Sequence, residues 1–226
     1  MKIGILQTGH APEVVLDELG DYDAMFRRLL DGQGYEFITY SVVDGQFPDG
    51  PEAADAWLIT GSKHGAYEDH DWIPPLEELI RTIRDAGQPL IGVCFGHQVI
   101  AQALGGKVEK YQGGWSVGSQ EYDIEGKPMR LNAWHQDQVV EPPPDAKVIG
   151  SSDFCANAAM MIGDNILTIQ PHPEFSAAMI DALLRHRAPG VVPPELIDTA
   201  KATLDQPNDS ATFAQMMVKH LNRKEK

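Results

Sequence analysis

The chain has 226 residues, 42% hydrophobic and 23% charged, which suffices for one sizeable α/β domain and leaves little for a second. A net charge of −15 argues against nucleic acid and anionic membrane surfaces as partners, because neutralising phosphates takes a basic patch; a small anionic or zwitterionic ligand stays open, since it responds to local donors. No stretch approaches the ~18 apolar residues of a transmembrane helix, and MKIGILQTG is broken too soon for a secretory signal. The expectation is a cytoplasmic protein whose two cysteines, Cys94 and Cys155, are free thiols.

Ile3 to Gln7 is a short apolar run that reads as a buried first strand. Met25, Phe26, Leu29 and Leu30 fall at helical spacing within residues 21–31, and Gly32 and Gly34 end that segment. Tyr35 to Val43 and Ala56 to Thr60 read as second and third strands. Pro74 and Pro75 open a helix with Leu76, Leu79, Ile80 and Ile83 on one face, and Leu90 to Val93 is a fourth strand. Apolar strands alternating with amphipathic helices predict a three-layer α/β fold, a mostly parallel sheet with helices on both faces.

Residues 107–170 change character. Gly113-Gly114, Glu125-Gly126 and Gly163-Asp164 punctuate short segments, which predicts a small antiparallel element inserted in or appended to the main sheet. Ile166 to Gln170 is another buried strand. Ser176 is a plausible N-cap, and helices follow near 176–186, 194–204 and 210–222; the last four residues, Arg223 to Lys226, are expected to fray.

The sharpest local feature is Gly92-Val93-Cys94-Phe95-Gly96-His97-Gln98, where an apolar strand runs into a Gly-x-Cys-x-Gly turn and then a helix. This has the form of a nucleophile elbow with cysteine in place of serine. Small residues must flank so tight a turn, and a helix N-terminus favours the reactive thiolate. The Phe95 N–H would point at the same place, ready for a developing oxyanion. Cys155, in Ser-Ser-Asp-Phe-Cys-Ala, lacks such a context and is assigned to the core.

A thiol nucleophile works with a histidine, and the histidine with an orienting group. Of the eight histidines, His70 sits among acids in a polar loop, His10 and His64 lie in loops, and His186 and His220 lie on surface helices. His97 follows Cys94 by one turn and suits a packing role. Two candidates remain: His172, with Glu174 two residues on, and His135, with Asp137 at the same offset. In extended backbone i and i+2 share a face, so either carboxylate could meet its imidazole.

Gly92-Val-Cys-Phe-Gly-His-Gln98 together with His172-Pro-Glu174 resembles the signature of class I glutamine amidotransferases, over roughly the first 190 residues. The resemblance implies a flavodoxin-like fold and a Cys94–His172–Glu174 triad that cleaves a γ-glutamyl amide through a glutamyl thioester; no Cys/His cluster has zinc-site spacing and no Gly-rich phosphate loop occurs, so no metal and no cofactor is expected. It implies a second oxyanion donor at Gly61, although Ile59-Thr60-Gly61-Ser62 stands where many members have Gly-Gly-Pro. It implies that Gln98, His135 and Gln136 bind substrate. Asp44–Asp49, Asp71–Ile73, His135–Asp137 and Ser151–Asp153 resemble stand-alone members, the γ-glutamyl peptidases of plants and their bacterial relatives. The expected division is a catalytic domain at 1–187 and a helical extension, 188–226, packed on it and too short for an acceptor domain. Three roles follow from the resemblance: an independent hydrolase of a small γ-glutamyl substrate, a glutaminase feeding ammonia to a separate synthase, or a non-catalytic relative.

Overall fold

The computed structural model describes residues 1–223, and the expected fraying at 224–226 lies outside them. Arg223 itself is tethered, its guanidinium donating to the Asp164 carbonyl at 2.8 Å. The elements in chain order are β1 (Lys2–Gln7), α1 (Glu13–Leu19), α2 (Tyr22–Leu29), β2 (Glu36–Ser41), β3 (Ala56–Ile59), α3 (Ile73–Asp85), β4 (Leu90–Val93) and α4 (Phe95–Ala103). Next come β5 (Lys107–Lys110), β6 (Ser116–Ile124), β7 (Lys127–His135), β8 (Asp137–Glu141), β9 (Ala146–Ser151), β10 (Ala159–Ile162) and β11 (Ile166–Ile169). The described chain ends with α5 (Ala177–His186), α6 (Pro194–Ala202) and α7 (Ser210–Leu221).

Nine strands form one sheet in the order β2-β1-β3-β4-β11-β10-β9-β6-β7. The first five pair in parallel, and β11-β10-β9-β6-β7 pair antiparallel. The antiparallel part is therefore an extension of the main sheet, larger than its scattered turn signals suggested, with β5 and β8 paired separately beside it. Every residue of β3, β4 and β11 is buried, as continuous apolar runs covered on both faces should be.

Strand β1 shows how the faces are divided. Ile3 and Ile5 join one core with Phe26 of α2 and Phe213, Met217 and Leu221 of α7; Leu6 joins the other with Ile80 of α3 and Ile100 of α4. The alternation follows from the period of two along a strand and produces three layers. Burying Phe213, Met217 and Leu221 contributes roughly 1.5–3 kcal/mol each, which holds α7 against the sheet. Asp21 and Ser176 cap α2 and α5, accepting from the Tyr22 and Met179 amides at 2.8 and 3.2 Å.

Two readings change. Helix α1 has no counterpart in the sequence reading; it spans seven residues, buries only Val15 and starts behind Pro12 without a side-chain cap. His220 is not on a surface face of α7: it is buried, with Nε2 donating to the Asn165 carbonyl at 3.0 Å.

Burial pushes His97 and His135 down to about 3 and His220 down to about 4, so all three enter the fold neutral. In the unfolded chain they take up protons near pH 6.5. The stability they contribute is thus complete above about pH 6.5 and is lost as pH falls towards 4, at up to about 1.4 kcal/mol per pH unit for each histidine. Calorimetric melts should show the melting temperature dropping steadily from about pH 6.5 to 5, ahead of the main carboxylate range. A flat profile there would contradict neutral burial of these rings.

Candidate active site

The elbow forms where β4 meets α4. Cys94 sits at φ 53°, ψ −104°, a left-handed conformation that costs a non-glycine residue about 1–3 kcal/mol. Neighbouring strands hold it there: the Cys94 N–H donates to the Ile169 carbonyl at 2.9 Å, and the Gly96 N–H to the Thr60 carbonyl at 3.1 Å. A Cβ on Gly92 would lie 2.5 Å from the Gly96 oxygen, and one on Gly96 would lie 2.4 Å from the Ile59 oxygen, so both positions require glycine. Phe95 is the first residue of α4, where backbone N–H groups have no partner within the helix.

His172 arrives from the opposite side. Its N–H donates to the Asn132 carbonyl at 2.8 Å, which ties the Pro171–Glu174 turn to β7. Its ring stacks on Phe175 with centroids 3.9 Å apart and planes at 4°. Nδ1 lies 2.7 Å from Glu174 Oε1, and both side chains are buried. That partner fixes the tautomer, with Nδ1–H donating, and leaves the other ring edge free beside Cys94, since both His172 Cε1 and Cys94 Cβ lie within 4 Å of the point where a Cβ on Gly61 would stand. Burial alone would lower the His172 pKa; the adjacent Glu174 carboxylate leads the interactions that outweigh it and hold it above the ordinary value. Such a pair can keep an imidazolium ready to deliver a proton.

Gly61 borders both groups. A Cβ there would lie 3.0 Å from His172 Cε1 and 3.7 Å from Cys94 Cβ. The Thr60 carbonyl is held by the Thr8 hydroxyl and the Gly96 N–H at 3.0 and 3.1 Å. In a trans peptide the Gly61 N–H is antiparallel to that carbonyl and points the other way.

The alternative pair is separated. His135 Nδ1 faces the backbone carbonyl of Asp137 at 3.3 Å, while the Asp137 carboxylate accepts from the Tyr67 hydroxyl at 3.1 Å. Cys155 is buried, and burial raises its thiol to about 12, which keeps it protonated.

Cys94, Gln98, His135 and Gln136 line one cavity of about 340 Å³. The Gln98 amide nitrogen is engaged with the Asp137 carbonyl and with Gln170 Oε1 at 2.9 and 3.1 Å, so it braces the wall. Gln136 is similarly tied to the Tyr111 carbonyl at 3.3 Å. The same cavity takes Tyr22, Trp115, Trp134, Lys110 and Arg187 from separate elements, none of which the sequence reading singled out. No local pattern marks them; only the tertiary fold gathers them.

Residues 51–186 match the family described as glutamine amidotransferase class-I. The chain is 33% identical over 223 residues to gamma-glutamyl peptidase 4 of Arabidopsis thaliana, covering 91% of this chain and 89% of that protein. It is 30% identical over 180 residues to one of the subunits of the glutamine-hydrolyzing GMP synthase of Methanopyrus kandleri, covering 72% of this chain and 88% of that one. In fold it resembles the crystal structure of a glutamine amido transferase from Methylobacillus flagellatus, with a TM-score of 0.74 at 22% identity over 100% of this chain and 96% of the other. With a family match over more than half its length and a relative aligned along nine-tenths of it, this chain belongs to the class-I glutamine amidotransferase family.

Proposed function

We propose that the chain hydrolyses a γ-glutamyl amide through a glutamyl thioester on Cys94. The observation that carries this reading is the strained Cys94 turn facing an imidazole already bonded to a buried carboxylate. Cys94 Sγ attacks the γ-carbonyl carbon, and the N–H groups of Phe95 and Gly61 hold the oxyanion. His172, as imidazolium, gives its proton to the departing nitrogen, and the C–N bond breaks to leave the thioester. Water then attacks; His172 takes its proton, the C–S bond breaks, and glutamate is released with the thiolate restored. Glu174 orients His172 and stabilises its charged form. Gln98, His135 and Gln136 shape the glutamyl end of the cavity.

The cavity supports a substrate with a sizeable leaving group. Its volume lies within the ~300–1,000 Å³ of small-molecule sites. Its wall offers the indoles of Trp115 and Trp134 and the cations of Lys63, Lys110 and Arg187. These suit an amino acid or short peptide with a free carboxylate, whereas ammonia needs neither. The reading is therefore an independent γ-glutamyl hydrolase. A glutaminase that serves a separate synthase shares the chemistry and has a relative in the Methanopyrus protein.

Purified protein should by itself turn over glutathione or another γ-glutamyl peptide faster than glutamine. Ammonia release from glutamine that appears only with a cell extract present would favour the partner-dependent role. Cys94→Ala should abolish turnover with folding intact, and Cys155→Ala should keep most of it; labelling by a glutamine-analogue electrophile that maps to Cys155 alone would overturn the assignment. His172→Ala should lower kcat by about 10²–10⁴-fold, and His135→Ala should act chiefly on KM. Glu174→Gln removes the charge that raises the His172 pKa, so the alkaline limb of the rate profile should move to lower pH. An unmoved limb would mean that another group sets it.

A further inference from the structure

Loops read one residue at a time hid a second constellation at the cavity wall. Between β3 and α3, the side chains of His64, Glu68 and His70 converge, with one donor atom from each lying within 4.8 Å of the others. Glu68 Oε2 is 3.5 Å from His64 Nδ1 and 2.9 Å from His70 Nε2. A tetrahedral zinc with bonds of about 2.0–2.2 Å separates its ligand atoms by roughly 3.3–3.5 Å, so these two spacings need only small adjustment. Two imidazoles and one carboxylate form a donor set suited to zinc and its first-row neighbours.

The loop is ordered before any ion arrives. The His64 N–H donates to Ser62 Oγ at 3.2 Å, the Glu68 N–H to the Gly65 carbonyl at 3.0 Å, and the His70 N–H to the Glu68 carbonyl at 3.1 Å. The His70 ring lies parallel to Trp72 within 14°, and Trp72 packs on Phe95 of the elbow with centroids 5.4 Å apart. His64 and Glu68 line the cavity that holds Cys94. Three protein ligands leave a fourth position open, as in sites that exchange water for a ligand.

We propose that His64, Glu68 and His70 bind one divalent zinc-class cation in the wall of this cavity, with an exchangeable position towards its interior. The ion takes one nitrogen from each histidine and one oxygen from Glu68, and water fills the remaining position. Nothing in this binding depends on the hydrolytic reaction proposed above, so the two can fail separately.

Co²⁺, titrated into metal-free Cys94→Ala protein, tests it, because the catalytic thiol can then supply no ligand. One equivalent should bind with the visible bands of low-coordinate cobalt, and azide should shift those bands at the open position. His64→Gln and His70→Gln should each weaken binding by at least roughly 10- to 100-fold. Glu68→Ala, at an exposed side chain, supplies the same comparison should a histidine variant fail to fold. Absence of the bands, bands unchanged in all three variants, or bands seen only when Cys94 is present would overturn the site. Bands that azide leaves unmoved would overturn the exchangeable position.

Discussion

Everything at the site depends on one backbone constraint, the left-handed turn at Cys94. A side chain held at φ 53° relaxes unless its surroundings forbid it, and here both adjacent strands do so. Strand β11 accepts from the Cys94 N–H and the end of β3 accepts from the Gly96 N–H, so the turn is fastened on both flanks before any side chain contributes. Closing the gap between β4, α4 and β3 removes the room for a Cβ at Gly92 and Gly96. The parallel half of the sheet thus exists, locally, as the frame that keeps a thiol aimed out of a strand end.

The antiparallel half supplies the other partner. His172 follows β11 but is fixed through β7, whose Asn132 accepts from its N–H and donates its own side-chain amide to the Phe175 carbonyl at 2.9 Å. The Phe175 ring then backs the imidazole. A buried imidazolium–carboxylate pair is costly to desolvate, and removing one member strands the other. The pair is held here by geometry, because the ring position is overdetermined by stacking on Phe175 and by the backbone bond to Asn132. The two kinds of strand pairing in one sheet meet at this contact.

The parallel strands and the elbow were legible because both are local: continuous apolar runs of four to six residues, and two glycines spaced around a cysteine. Spacing alone did not choose between His172 and His135, since both have an acid at i+2, and only the family signature decided for His172. What separates them is where the carboxylates go. Glu174 turns to its imidazole, whereas Asp137 turns to Tyr67, seventy residues away in sequence. His220 was misplaced for a related reason: its helix has an apolar face, but the partner that accepts its ring nitrogen is the Asn165 carbonyl on a distant turn. The size of the antiparallel extension was hidden too, because β6 and β7 are marked by their turns while their place beyond β9 is set by pairing.

Charge makes the same distinction between global and local. The chain carries −15 overall, yet the cavity gathers Lys63, Lys110 and Arg187 against the carboxylates of Glu68 and Asp137. Charges separated by more than the roughly 8–10 Å screening length contribute little there, so the near groups decide what enters. Burial holds the Asp137 pKa up, and the Tyr67 hydroxyl, followed by Lys110, draws it part of the way back. A γ-glutamyl head carries both an ammonium and a carboxylate and asks for no net charge from its site. A second carboxylate, which a peptide leaving group has and ammonia lacks, would match this local excess of cations, in keeping with the function proposed above.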